Sequence, residues 1–190
     1  MKTRILFLLV TLLTLAQGAW AQTDQETPLT MEARTAGTIR IFKPKSGMQY
    51  SVNGGAKTAV PTQGDEYYIS VNVGDKVQFY GNGTSITSYL STRIAYGTAE
   101  CYIYGNIMSM VDEDNFATDT TLMGESAFDD LFSSANLYNH PTKKLVLPAT
   151  TLTKGCYTGM FAHCEKLTVA PELPATTLAN QVADGTASPE

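Results

Sequence analysis

Leu147-Pro148-Ala149-Thr150-Thr151-Leu152 recurs unchanged 26 residues later as Leu173-Pro174-Ala175-Thr176-Thr177-Leu178. An identical hexapeptide at that distance in a short chain marks an internal repeat, and periods of this length belong to stacked architectures. Between the copies lies Cys156-Tyr157-x-x-Met160-Phe161-x-x-Cys164, followed by Leu167. Upstream, Ala127-Phe128-x-x-Leu131-Phe132-x-x-Ala135 matches it position by position, with alanine at each cysteine. Thiol or methyl, both places demand low volume and low polarity, and free cysteine behaves there as a small hydrophobe. The spacing 156, 157, 160, 161, 164 is helical and predicts one buried stripe. Residues 145–147 and 167–169 are short apolar runs suited to one strand per unit. A single unit cannot bury its own face, so stacking must make the core.

Outward towards the N-terminus, residues 28–105 read as a β-rich module. Runs 29–33 and 38–42 flank a turn at Ala36-Gly37, and 48–52 runs into Asn53-Gly54-Gly55, residues that tolerate positive φ. Residues 67–71 alternate, and Asn72-Val73-Gly74-Asp75 turns them into 76–80, where Val77 and Phe79 share a face. In 99–104, Cys101 and Ile103 lie on one face and Tyr102 and Tyr104 on the other. Short strands with Gly-rich turns predict a β-sandwich-like module or small barrel. The expected class is mixed, mainly β: this module, then repeat units over 106–180 and a tail at 181–190.

Residues 1–21 have the three parts of a secretory signal: basic Lys2 and Arg4, an apolar run over 5–15, and Ala19-Trp20-Ala21 at the cleavage point. Eleven apolar residues are too short to span about 30 Å of hydrocarbon. The expected mature chain therefore starts at Gln22, with 22–27 as a flexible leader, is exported, and does not span the membrane. It carries eleven basic and eighteen acidic residues, a formal charge of −7. That balance argues against nucleic acid, which selects for a basic face.

Candidate chemistry is thin. Cys101, Cys156 and Cys164 are an odd set, with Cys156 and Cys164 the one plausible disulfide pair. A cysteine hydrolase would have to use Cys164 with His140 or His163. His163 is its sequence neighbour and points away on a helix, so no enzyme is expected. Zinc lacks a fourth ligand, Asp112-Glu113-Asp114-Asn115 lacks the glycine and distant glutamate of a calcium loop, and no cofactor is expected. Asn82-Gly83-Thr84 matches a glycosylation sequon but reads as a turn. Asp119-Thr120-Thr121 fits a short acceptor pattern for O-linked glycans, making Thr120 a candidate. Tyr67, Tyr68, Tyr80, Tyr89, Tyr96, Tyr102 and Tyr104 offer a binding face or, on the preferred reading, strand packing.

The units resemble the BspA-like leucine-rich repeats of Bacteroidetes surface proteins. The pattern C-Y-x-x-M-F-x-x-C-x-x-L followed by A-P-E-L-P-A-T-T-L stands here at 156–167 and 170–178. The resemblance implies a short leucine-rich repeat solenoid of about two units after its N-terminal module. It implies a cell-surface or secreted protein that binds host matrix protein or another macromolecule, without catalytic residues. The alternatives are a carbohydrate-binding module of a glycan-uptake system, with glycan as partner, or a truncated repeat protein without activity of its own. Asn180-Gln181-Val182-Ala183-Asp184 departs from the pattern, leaving a C-terminal repeat edge at which self-association is expected.

Overall fold

The computed structural model describes residues 24–82, 88–95, 97–122 and 124–178. The signal segment, Gln22, Gly83 and Thr84 of the sequon, Tyr96 and the tail 181–190 lie outside them. The fold is mainly β, and helix among the described residues is confined to Asp24-Gln25 and a 3-10 turn at Ile107–Met110.

Strands form where β-branched and aromatic residues alternate with polar ones between Gly- and Asn-containing turns. They are β1 (Thr30–Ala33), β2 (Gly37–Phe42), β3 (Gln49–Val52), β4 (Thr58–Ala59), β5 (Glu66–Val71), β6 (Lys76–Tyr80), β7 (Arg93–Ile94) and β8 (Cys101–Asn106). Beyond them come β9 (Leu137–Asn139), β10 (Leu145–Val146), β11 (Thr151–Leu152) and β12 (Thr177–Leu178). The turn at Asn53-Gly54 takes positive φ at both residues and closes with the Gly55 N–H on the Val52 carbonyl at 2.9 Å, the primed geometry that suits twisted strands.

A seven-stranded sheet has the order β10-β8-β1-β6-β3-β4, with β9 also on β8; a three-stranded sheet has the order β5-β2-β7. Neither closes into a barrel. The two turns expected around Ala36-Gly37 and Asn72–Asp75 do occur, but each carries the chain from one sheet to the other. Alternation fixes which side of a strand is buried, not which strand it pairs with. Pairing is antiparallel through β1–β8, and turns parallel where β9 and β10 join β8.

Both sheets feed one apolar core. Met31, Val77, Phe79 and Ile103 enter from the larger sheet, and Ile39, Ile41, Ile69 and Val71 from the smaller. The core runs on into Leu131, Phe132 and Met160. Gly105 lies where β8 passes from β9 to β10; its φ is 87°, and a Cβ would fall on the Pro28 carbonyl, so only glycine fits. Next to it, fully buried Asn106 donates to the carbonyls of Gln25 (3.1 Å) and Phe116 (2.8 Å) and caps Met108 N–H (3.0 Å). Residues 24–27, expected as a flexible leader, are instead tied in. Buried Asp24 accepts from Lys144 N–H at 2.9 Å, and the Thr27 carbonyl accepts from Asn106 N–H at 2.8 Å.

The stripe at 127–135 and 156–164 is not helical. Both stretches are runs of tight turns with a left-handed residue every fourth position: Ser126, Asp130 and Ser134 in one, Gly155, Gly159 and His163 in the other. The N–H groups of 126, 128, 130, 132 and 134 donate across to the carbonyls of 154, 156, 158, 160 and 162, at 2.7–3.0 Å. Those of 129, 131, 133 and 135 turn back to the carbonyl three residues earlier. A four-residue turn period is too close to 3.6 for apolar spacing to separate the two. The left-handed positions do separate them, because a right-handed helix cannot hold such a residue every turn.

Candidate functional site

The stripe residues are placed as follows. Ala127, Phe128, Leu131, Phe132, Ala135, Cys156, Met160 and Cys164 are buried, while Tyr157, Phe161 and Leu167 are partly buried against the same core. Rings stack from one run of turns to the next. Phe128 lies between Tyr89 and Tyr157, both at 5.9 Å and tilted by 12° and 6°, and Phe132 lies 5.8 Å from Phe161. At the left-handed positions, a Cβ on Gly159 would fall on the Asp130 carboxylate, which pairs with Arg93 at 2.9 Å.

The cysteines are all free and buried. Burial pushes each thiol above its ordinary value, Cys101 to about 12, which disfavours the thiolate a nucleophile needs. The Cys164 thiol is directed at the Phe132 carbonyl at 3.0 Å, while His163 is exposed. The acidic stretch folds on itself: Asp112 accepts from the N–H groups of Asp114 and Asn115 and from Asn115 Nδ2. Thr120 is partly buried and its carbonyl accepts from Thr150 N–H, while Asp119 caps Thr121 N–H.

Two features escaped the pattern analysis. The first is a third copy of Thr-Thr-Leu at Thr120-Thr121-Leu122. The structure lines it up with the other two, bridging Thr121 to Thr151, which pairs in turn with Thr177. The tripeptide was visible but too short to stand out alone. The second is that successive turns of the chain differ in length. Thr121 to Thr151 spans 30 residues and Thr151 to Thr177 spans 26. Asn139 binds Thr168 and Val169 through its side chain, whereas Val146 bridges Glu172. Between these anchors seven steps of the first turn stand against three or four of the second, so three or four extra residues fall in the stretch that holds His140-Pro141-Thr142-Lys143. No strand forms at 167–169; the Asn139 amide holds that stretch in place of a ladder.

This insertion lies on the outer face of the larger sheet. His140 Nδ1 accepts from the N–H groups of Thr142 (3.2 Å) and Lys143 (3.1 Å), so the neutral ring carries its proton on Nε2. The ring sits edge-on to Tyr102 and Tyr104, at 5.2 and 5.0 Å. Burial, and then the Lys143 charge, lower the His140 pKa. Lys143 covers the Tyr104 ring at 4.0 Å, and the Tyr104 hydroxyl donates to Glu32 at 2.8 Å. Burial and the Glu32 carboxylate raise the Tyr104 phenol. Further out, the Arg34 guanidinium lies 3.6 Å from the Tyr138 ring centre and 5.1 Å from that of Tyr102. It also pairs with Glu100 at 3.3 Å, and Glu100 takes the Tyr138 hydroxyl at 3.1 Å. Half-buried Tyr102 and Tyr138 and fully buried Tyr104, each covered by a cation, thus neighbour the carboxylates of Glu32 and Glu100.

Comparison with known proteins finds no family model, no curated protein and no solved structure that matches the chain. Among the described residues, no group of three or more His, Cys, Asp or Glu could hold a metal ion, and no helix is long and apolar enough to cross a membrane.

Proposed function

We propose that this is an exported, non-enzymatic recognition protein of the BspA-like leucine-rich type, which binds an extracellular protein through the face around the His140–Lys143 insertion. On this reading the two sheets form a β-sandwich-like module, and the stacked turns are the first units of a solenoid built upon it. The observation that carries the reading is the insertion itself. In a stacked repeat the core dictates the length of each turn, and extra residues collect on one face, often the face that binds. Here they sit among Arg34, Tyr102 and Tyr138, residue types that dominate protein–protein hot spots.

The covered rings favour protein over sugar. A glycan-binding platform presents open aromatic faces, whereas Arg34 and Lys143 already occupy those of Tyr138 and Tyr104. The exported protein should bind at least one member of a panel of immobilised matrix proteins, and Arg34→Ala with Tyr138→Ala should weaken that binding tenfold or more. Retention by glycans alone, or binding unchanged in the double variant, would refute the assignment. A truncated array without activity is the reading favoured by the exposure of Leu173 and Leu178; it predicts that nothing on the panel binds.

A further inference from the structure

The smaller sheet ends on an open strand. β5 pairs with β2 over six consecutive residues, and its other side carries no strand among the described residues. The Lys43 N–H on the Asp65 carbonyl, at 2.7 Å, sets the phase of the ladder, in which positions 65, 67, 69 and 71 bond towards β2. The N–H and carbonyl groups of Glu66, Tyr68 and Ser70 therefore point away from it. β5 lies inside the unbroken described stretch 24–82, and those three residues are exposed, Tyr68 at 50%. The larger sheet treats its edge differently: β4 has two residues, and Pro61 follows two positions later. Brevity and proline keep an edge from pairing, and β5 has neither.

We propose that the outer edge of β5 is a docking strand, to which an extended basic segment of another protein adds as the fourth strand of the smaller sheet. In such pairing the main-chain hydrogen bonds hold the segment and its alternate side chains select it. Charge names the occupant. The middle of the edge, Tyr67 to Ser70, is uncharged, while both ends are acidic. At one end Asp65 is exposed and meets no cation among the described residues, with Glu66 beside it. At the other, Asp75 accepts the Asn72 N–H at 2.7 Å, and this bond, with the Asn53 amide, holds its carboxyl below the usual carboxylate range. The neighbouring cations are engaged: Arg40 with Glu66 at 3.3 Å, Lys43 over the Phe42 ring at 5.4 Å, and Lys76 opposite Glu32 on β1. A segment with lysine or arginine at both ends and uncharged residues between them complements this edge. A second copy does not. The antiparallel register that uses all three outward residues sets Tyr68 against Tyr68 and Asp65 against Val71, so the Asp65 end of each copy would meet the Asp75 end of the other. The surface lies on the smaller sheet and stands independently of the recognition face proposed above.

The test uses a synthetic peptide of alternating valine and threonine with two lysines at each end, followed by amide hydrogen exchange in NMR and by fluorescence anisotropy. Binding should slow exchange at Glu66, Tyr68 and Ser70, whose N–H groups gain acceptors, and leave Tyr67 and Ile69, already bonded to β2, unchanged. Two further peptides carry methyl groups on alternate backbone nitrogens, one in each phase. The phase that faces β5 should bind about tenfold or more weakly, and the other as before. Tyr68→Pro removes an N–H that the peptide needs and β2 does not use, so it should abolish binding with an unchanged far-UV circular dichroism spectrum. Asp65→Lys should weaken the lysine peptide a few-fold and favour one ended by glutamates, which keeps the question decidable if the proline variant does not fold. Exchange unchanged at the three amides, equal binding of both methylated phases, or a glutamate-ended peptide that binds the wild type as tightly would each overturn the proposal. So would a dimer in light scattering that Tyr68→Pro dissociates, since the edge would then belong to a second copy.

Discussion

Two tyrosines in one aromatic stack should respond to the same substitution with opposite signs. Tyr89 and Tyr157 flank Phe128 at 5.9 Å each, and burial raises both phenols far above their ordinary value. The Tyr89 hydroxyl donates to the Met110 carbonyl, whereas the Tyr157 hydroxyl is buried with no hydrogen-bond partner among the described residues. Removing a satisfied buried hydroxyl orphans its acceptor and costs about 1–2 kcal/mol; removing an unsatisfied one relieves a desolvation penalty of about 1 kcal/mol or more. Phenylalanine keeps the stack in both cases, as the Phe132–Phe161 pair at 5.8 Å shows. Tyr89→Phe should therefore lower Tm, and Tyr157→Phe should raise it. The size is about 2–4 °C per kcal/mol for a domain of this length. Urea unfolding should give the same signs through the midpoint, with unchanged slope. A Tyr157→Phe variant that is destabilised by 1 kcal/mol or more would show that the hydroxyl has a partner and would refute the argument.

Acid should loosen the insertion. The His140 pKa is lower folded than unfolded, so its contribution is complete above about 6.5, the free value, and drains away as pH falls through the folded value. His140→Asn keeps a side-chain acceptor for the Thr142 and Lys143 N–H groups but cannot titrate, so its stability should fall less between pH 7 and pH 5; equal slopes would sink the assignment. The cysteines should behave as small hydrophobes. Cys156→Ala and Cys164→Ala, which restore the alanines of the earlier turn, should each cost about 1 kcal/mol by chemical denaturation, while Cys164→Leu should cost more through overpacking. If both alanine variants fail to fold, the positions require more than low volume.

Much of the architecture was legible in the residues. The alternation of Cys101 and Ile103 against Tyr102 and Tyr104 gave β8 and its two faces, and Asn53-Gly54 gave its turn, because both signals act over a few residues. The repeated hexapeptide marked two segments that lie side by side, Thr151 against Thr177, although its first copy is covered and its second is open. The helix expected over 156–164 failed because a four-residue turn and a 3.6-residue helix bury the same positions. Its correction was nonetheless written at Gly155 and Gly159, where left-handed backbone favours glycine.

What the sequence by itself determined was which residues of a strand share a face and how often the motif returns, since alternation and period are local properties. Tertiary structure alone decided that consecutive strands alternate between two sheets, that β9 and β10 extend β8, and that residues 24–27 are tied into the fold. It also decided that His140 and Lys143 lie over Tyr102 and Tyr104, and that Leu147 is covered while its copy Leu173 is not. Each depends on which distant segment lies alongside, and a hydrogen-bonding edge or an apolar side chain carries no record of its partner until the chain has folded against it.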